Sequence, residues 1–158
     1  MDKLIYIPGD LVMTNGVSGG TAKDVIYRVV LSDPSKIFVL DDGTVLKGIV
    51  RLENLEDAKL EDEGYLYYGN SYVYSKDIIP ISITPEILEK NGWKKDEECS
   101  FKTQLYYEKK FGVKTIFIIV KEENSIVVYD NASMIIIQYI HELQHLLFGL
   151  KINHEMKV

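Results

Sequence analysis

A single cysteine, Cys99, leaves no partner for an internal disulfide and suits a reducing compartment, so a cytoplasmic location is expected. Long apolar runs are missing as well. The longest, 116–120, has five residues, far short of the roughly 20 that span a bilayer, so no membrane association is expected. The opening residues, Met1-Asp2-Lys3-Leu4-Ile5-Tyr6, lack the basic region, apolar core and cleavage site of a secretory signal. Basic residues are outnumbered: 18 Lys and Arg stand against 24 Asp and Glu, a net charge of −6. Residues 1–80 carry −5 (8 against 13) and residues 81–158 carry −1 (10 against 11). Neither half has the basic excess that binding a phosphate backbone requires, which argues against nucleic acid. A charged partner is expected to be basic. The Gly-rich stretch 16–21 is followed by no Gly-Lys-Ser/Thr and opens no helix pattern, so it is not a phosphate loop. There is no dinucleotide fingerprint, no CxxC and no EF-hand loop, and no cofactor is expected.

The chain is 46% hydrophobic and 27% charged, ordinary for a globular protein that builds a core. Two parts are expected: a β-rich subdomain over 1–80 and an α+β subdomain over 81–158, with one continuous domain as the alternative. Tyr6-Ile7-Pro8-Gly9-Asp10-Leu11-Val12-Met13 reads as a Pro-Gly turn feeding a strand, the opening of a small SH3-like barrel. Strands are expected at 25–31 and 37–40, with Asp42-Gly43 turning the chain into a strand over 44–52. The connector 54–63 is rich in charge and expected to be solvated, or else an acidic docking surface.

A tyrosine-rich hairpin follows at 65–74. With Gly69-Asn70 as its loop, Tyr67 faces Tyr72 and Tyr65 faces Tyr74, all on one sheet face, with Leu66 and Val73 on the other. Cross-strand packing accounts for such a pattern. An aromatic recognition surface is the functional alternative, because Tyr is favoured at interfaces. Tyr65, Tyr67, Tyr72 and Tyr74 are therefore the candidate partner surface. Pro80 interrupts the strand 78–83 and marks either an edge, at which a second copy could pair, or a link between the two subdomains. Thr84 caps a short helix with Pro85 at its first position, and Gly92 ends it. Further strands are expected at 101–108, 115–120 and 126–129, closing onto a long C-terminal helix. The overall class is α+β.

That helix carries the one string that names a reaction. Ile136, Ile140, Leu143, Leu147 and Leu150 are spaced four, three, four, three, an amphipathic stripe. The β-branched run 135–137 also fits a short strand, with the helix proper starting near Gln138. His141, Glu142 and His145 form an HExxH and are expected to face solvent with Gln144, away from the stripe. Two His at i and i+4 can share a zinc ion, with the Glu as general base. A catalytic zinc needs a third protein ligand. Phe148 and Lys151 stand where one class of zinc protease has Gly and His, and His154 and Glu155 are the nearby downstream candidates at spacings that match neither class. No metal site is expected, and zinc hydrolysis is kept as the alternative. Cys99 has charged neighbours but no activating arrangement, and is expected to be a bystander.

Two phrases carry a resemblance. Tyr139-Ile140-His141-Glu142-Leu143-Gln144-His145, then an apolar run and a short charged tail, resembles the C-terminal signature of the uncharacterised small proteins of gut Bacteroidetes and of their phages and mobile elements. That signature reads Tyr-Val-His-Gln-Leu-Gln-(His or Asn). Ile79-Pro80-Ile81-Ser82-Ile83-Thr84-Pro85-Glu86-Ile87-Leu88-Glu89-Lys90-Asn91-Gly92-Trp93 resembles a second phrase of the same group. The likeness covers about residues 79–158. It implies that Glu142 occupies a position usually held by Gln, which no obligatory base could be. It implies no activity. The function expected is that of a non-enzymatic, protein-binding accessory protein of phage or mobile-element type.

Overall fold

The structure is a computed structural model and describes residues 6–17, 21–55, 71–121, 126–130 and 133–158, without the side chains at 38, 71 and 72. The chain divides into two compact units, residues 1–81 and 82–158. Each is built on one five-stranded antiparallel sheet.

In the first unit, Pro8 and Gly9 make the expected turn. Gly9 has φ +99°, and the turn is held by Asp10 N–H donating to Ile7 O (3.1 Å) and Ile7 N–H donating to Asp10 Oδ2 (2.8 Å). β1 (Leu11–Thr14) follows. β2 (Tyr27–Val39) and β3 (Val45–Asn54) form a long hairpin whose tip holds Gly43 at φ +82°. β2 runs on through Pro34, where two separate strands were expected. Pro34 is tolerated because the register shifts between Asp33 and Ile37, so it sits in a bulge rather than in the ladder. Opposite the bulge, Gly48 adopts φ +71°, and a Cβ there would lie 2.5 Å from Ser75 Oγ. β4 (Ser71–Tyr74), a 3-10 turn (Ser75–Asp77) and β5 (Ile78–Pro80) complete the unit. The strand order is β4-β3-β2-β1-β5. Tyr6, Val12, Tyr27, Val29, Val50, Leu52, Val73 and Ile78 form its core.

Among the described residues this sheet is open, which corrects the expected barrel. β4 and β5 are its two edges, and they do not pair with one another. β5 has three residues and ends on Pro80, which has no amide hydrogen to donate, so it pairs with β1 alone.

In the second unit, α1 (Pro85–Lys90) begins under the Thr84 cap, whose Oγ1 accepts from Ile87 N–H at 3.3 Å. It ends in a Schellman turn. Gly92 (φ +77°) donates to Glu89 O, and buried Trp93 donates to Leu88 O at 3.0 Å. β6 (Lys94–Lys95), β7 (Gln104–Phe111), β8 (Lys114–Lys121), β9 (Ile126–Asp130) and β10 (Ser133–Ile137) form a meander in the order β10-β9-β8-β7-β6. The register places Tyr107, Ile118 and Val128 on one face with Ile116, Ile126 and Ile137, and all six are buried. Ile119 and Val127, on the opposite face, are buried too. A strand apolar on both faces reads as an unbroken run, which is why 116–120 does not alternate.

α2 (Ile140–Gly149) packs over this sheet through Ile140, Leu143, Gln144 and Leu147. It has ten residues, not the long helix expected. Residues 133–137 are drawn into the sheet by pairing with β9, from Ser133↔Asp130 to Ile137↔Ile126. Ile136 therefore belongs to a strand, and its spacing from Ile140 is not a helix repeat. α2 also ends in a Schellman turn, with Lys151 at φ +57° donating to Phe148 O and Ile152 donating to Leu147 O.

Candidate functional site

The HExxH string lies on the first turns of α2, and the folded chain gives each of its residues a local structural task. Glu142 is the third residue of the helix. Its Oε2 accepts from Gln138 N–H at 2.7 Å and from Tyr139 N–H at 3.0 Å. This is the Glu half of a capping box: a carboxylate reaching back to amides that precede the first helical hydrogen bond. A negative charge at a helix N-terminus is favourable in its own right. The carboxylate is thus held by the backbone behind it. A Gln could do the same through its amide oxygen.

His141 is 6% exposed and stacks on Tyr139, with ring centroids 5.8 Å apart and planes 10° apart. That corrects its expected solvent-facing position. At about 100° per residue it lies on the flank of the buried stripe, close enough for Tyr139 to cover it. His145 is half-buried, and its ring meets that of His141 nearly edge-on, with centroids 5.7 Å apart at 76°. His154 packs its ring against Phe148 (5.2 Å). Among the described residues no group of three His, Cys, Asp or Glu comes together as metal ligands would.

Gln144 is the residue that sequence reasoning misplaced most. It was expected in solvent, yet it is 1% exposed in the middle of the buried face of α2. Its Nε2 donates to His154 O at 3.3 Å, tying the tail to the helix. The signal was available: with Ile140 and Leu147 defining the stripe, position 144 falls only about 40° from Ile140 on the helical wheel. Asn91 clamps the same tail further on. Its Nδ2 donates to Lys157 O (2.6 Å) and its Oδ1 accepts from Lys157 N–H (2.7 Å). These two bonds hold the tail extended past the end of α1.

From Ser82 onward the two phrases thus meet in the second unit. Ile83 N–H donates to Gln138 O, and Ser82 forms an isolated antiparallel bridge with Tyr139. Thr84, Asn91, Gly92 and Trp93 of the first phrase, and Glu142 and Gln144 of the second, cap helices, turn the chain or anchor the tail.

Of the candidate partner surface, Tyr65 and Tyr67 lie outside the described residues, as does the side chain of Tyr72. Position 72 pairs with Arg51 and position 74 with Ile49, both on β3. Tyr74 is half-buried, and Val73 between them is buried, so position 74 faces away from the core. The connector 54–63 falls outside the description from residue 56 onward.

Cys99 is exposed. The Asp96 carboxylate beside it pushes the thiol's pKa up, the opposite of the shift that activates a nucleophile. Lys109 is partly buried under Trp93 and Phe111, with Nζ 6.0 and 5.0 Å from their ring centroids, and donates to Asn91 O. Burial lowers its pKa. It is engaged in holding the end of α1 against β7. A cavity of about 90 Å3 lies between α2 and the sheet, lined by Ile116, Val128, Ile135, Leu146 and Leu150 with Asp130 and Ser133 at its polar side.

One surface that sequence reasoning missed is the outer arm of the β2–β3 hairpin. The pairs Ile37↔Lys47 and Val39↔Val45 put Ile37, Val39 and Val45 on one face, and all three are exposed. Leu40 is exposed at the tip beside Asp41 and Asp42. No helix among the described residues is long and apolar enough to cross a membrane. No protein-family model, no curated protein and no solved structure matches the chain.

Proposed function

We propose that this is a non-enzymatic protein-binding module, an accessory protein of the phage and mobile-element group that its two phrases resemble. The observation that carries the reading is the apolar face of the β2–β3 arm. Ile37, Val39, Val45 and Leu40 are exposed on the part of the hairpin that, among the described residues, pairs with no third strand, next to the acids Asp41 and Asp42. A contiguous exposed apolar patch rimmed by charge is the usual mark of an interaction site. The partner is a protein that offers an apolar patch flanked by Lys or Arg, in keeping with the −5 charge of this half. Positions 72 and 74 of the tyrosine surface extend the same reading, since they lie on β4 opposite Arg51 and Ile49 of β3. A meander whose last strand returns to pair with its first supports an open, SH3-like sheet.

The chemistry of the C-terminal phrase supports the non-enzymatic side. Glu142 holds two backbone amides, where a metallohydrolase would need it turned toward a metal-bound water. The test is affinity capture with the untagged, immobilised wild type beside a Val39→Asp/Val45→Asp variant, together with elemental analysis of both. The expected result is one stoichiometric protein bound by the wild type and lost with the variant. Equal capture by both would overturn the arm as the site. About one zinc per chain with accompanying hydrolysis would overturn the module reading.

A further inference from the structure

Two five-stranded sheets have four edges, and those edges are not equally protected. β5 has three residues and ends on Pro80. β6 has two residues, both Lys. Shortness, Pro and Lys are the usual devices that keep a sheet edge from pairing with another chain. β4 leads directly into residues outside the description. β10 has none of these devices. Its five residues, Ser133-Met134-Ile135-Ile136-Ile137, hold no charge and no Pro, and pair with β9 without a register shift. Among the described residues β10 pairs with no other strand. Met134, Ile135 and Ile136 are 62%, 40% and 65% exposed.

We propose that β10 pairs antiparallel with β10 of a second copy of this chain, about a two-fold axis at Ile135. The two sheets then join edge to edge. A two-fold axis perpendicular to the sheet keeps both α2 helices on one face of the joined sheet. The register sets Ile135 opposite its own copy, and Met134 opposite Ile136 of the other chain. Charge favours a copy over a basic partner here. Residues 81–158 carry only −1, so two such units meet with little repulsion and offer little attraction to a cation. Both Ile135 side chains fall on the α2 side, beside the cavity of about 90 Å3 under Leu146 and Leu150.

The area sets the strength. At these exposures the three side chains leave on the order of 300 Å2 per copy to be covered, against about 800 Å2 per partner in a stable complex. The dimer is therefore weak and reversible. This edge lies in a different unit from the arm discussed above, so either proposal can fail alone.

Sedimentation velocity of the full chain over a concentration series from about 1 μM to about 500 μM tests it. The wild type is expected to pass from monomer to dimer and no further. Ile136→Lys, at an exposed position, is expected to weaken pairing at least tenfold without changing the circular dichroism spectrum. Met134→Glu/Ile136→Lys is expected to recover most of the loss, because the register places each new carboxylate opposite a new ammonium. A monomer throughout, a dimer indifferent to Ile136→Lys, or a double variant no better than the single one would each overturn the proposal.

Discussion

Replacing Glu142 separates a capping carboxylate from a catalytic one. In the structure Glu142 Oε2 receives two backbone amides, from Gln138 at 2.7 Å and Tyr139 at 3.0 Å. Gln138 is exposed, so water replaces part of what its amide loses. Tyr139 is half-buried, and its amide is satisfied less easily. Each bond should therefore contribute about 0.5–1 kcal/mol. The carboxylate's favourable place at the helix start falls within the same range. Glu142→Ala should destabilise the fold by about 1–2 kcal/mol, in line with cap removal generally. Glu142→Gln keeps an acceptor oxygen at the same reach and loses only the charge, so it should stay within about 0.5 kcal/mol of wild type. Urea denaturation followed by circular dichroism measures both. For the whole chain melting together, about 1–2 kcal/mol corresponds to a Tm lower by roughly 2–8 °C. Two results would refute the reasoning: Glu142→Ala as stable as wild type, or Glu142→Gln as costly as Glu142→Ala.

Four further outcomes follow from the geometry. Gln144→Ala opens a cavity in the buried face of α2 and removes the donor to His154 O, so it should cost about 2–3 kcal/mol and raise hydrogen exchange in the tail. Lys151→Gly should stabilise by about 0.5–1 kcal/mol in thermal melts, because Lys151 holds φ +57° at the Schellman position that glycine adopts without strain. Gly48→Ala should cost about 1–3 kcal/mol, and adding Ser75→Ala should restore only part of it, since removing Ser75 Oγ relieves the 2.5 Å clash but not the φ of +71°. Tyr107 titrates high, pushed up to about 12 by burial and then by its hydrogen bond to Glu89. The folded chain therefore keeps a proton that an unfolded tyrosine releases near pH 10. The stability this gives is full below about pH 10 and falls as pH rises toward 12, and urea midpoints across that window should flatten in Tyr107→Phe.

What could be read beforehand was whatever rests on local backbone chemistry. Pro8-Gly9, Asp42-Gly43, Thr84-Pro85 and Asn91-Gly92 each fix a turn or a cap through φ or a side-chain acceptor, and each lies where those residues require. Non-local pairing decided the rest. Pro34 looked like a break between strands, but a bulge opposite Gly48 lets β2 pass through it, and nothing near Pro34 in sequence announces that glycine. The first turn and the strand that follows it were legible. Barrel closure was not, since it depends on whether two distant edges meet. At the candidate site, His141 and Gln144 were assigned to solvent by residue type. Their burial is set by Tyr139 on one side and by the returning tail on the other.

The same limit explains why one isoleucine run served two descriptions. In sequence, Ile136 at four residues before Ile140 extends a helical stripe, and Ile135 to Ile137 equally suit a strand. Local propensity favours the strand only weakly, by at most about 1 kcal/mol over the β scale. The strand prevails because β9 presents five consecutive partners, from Asp130 to Ile126. That pairing has a consequence for the far side of β10. In a helix Met134, Ile135 and Ile136 would point in three directions, and at most one or two would need covering. In an edge strand they line one border of a sheet, along which no further strand pairs among the described residues. The contacts that settled the ambiguity thereby created an apolar edge without charge, proline or bulge to guard it.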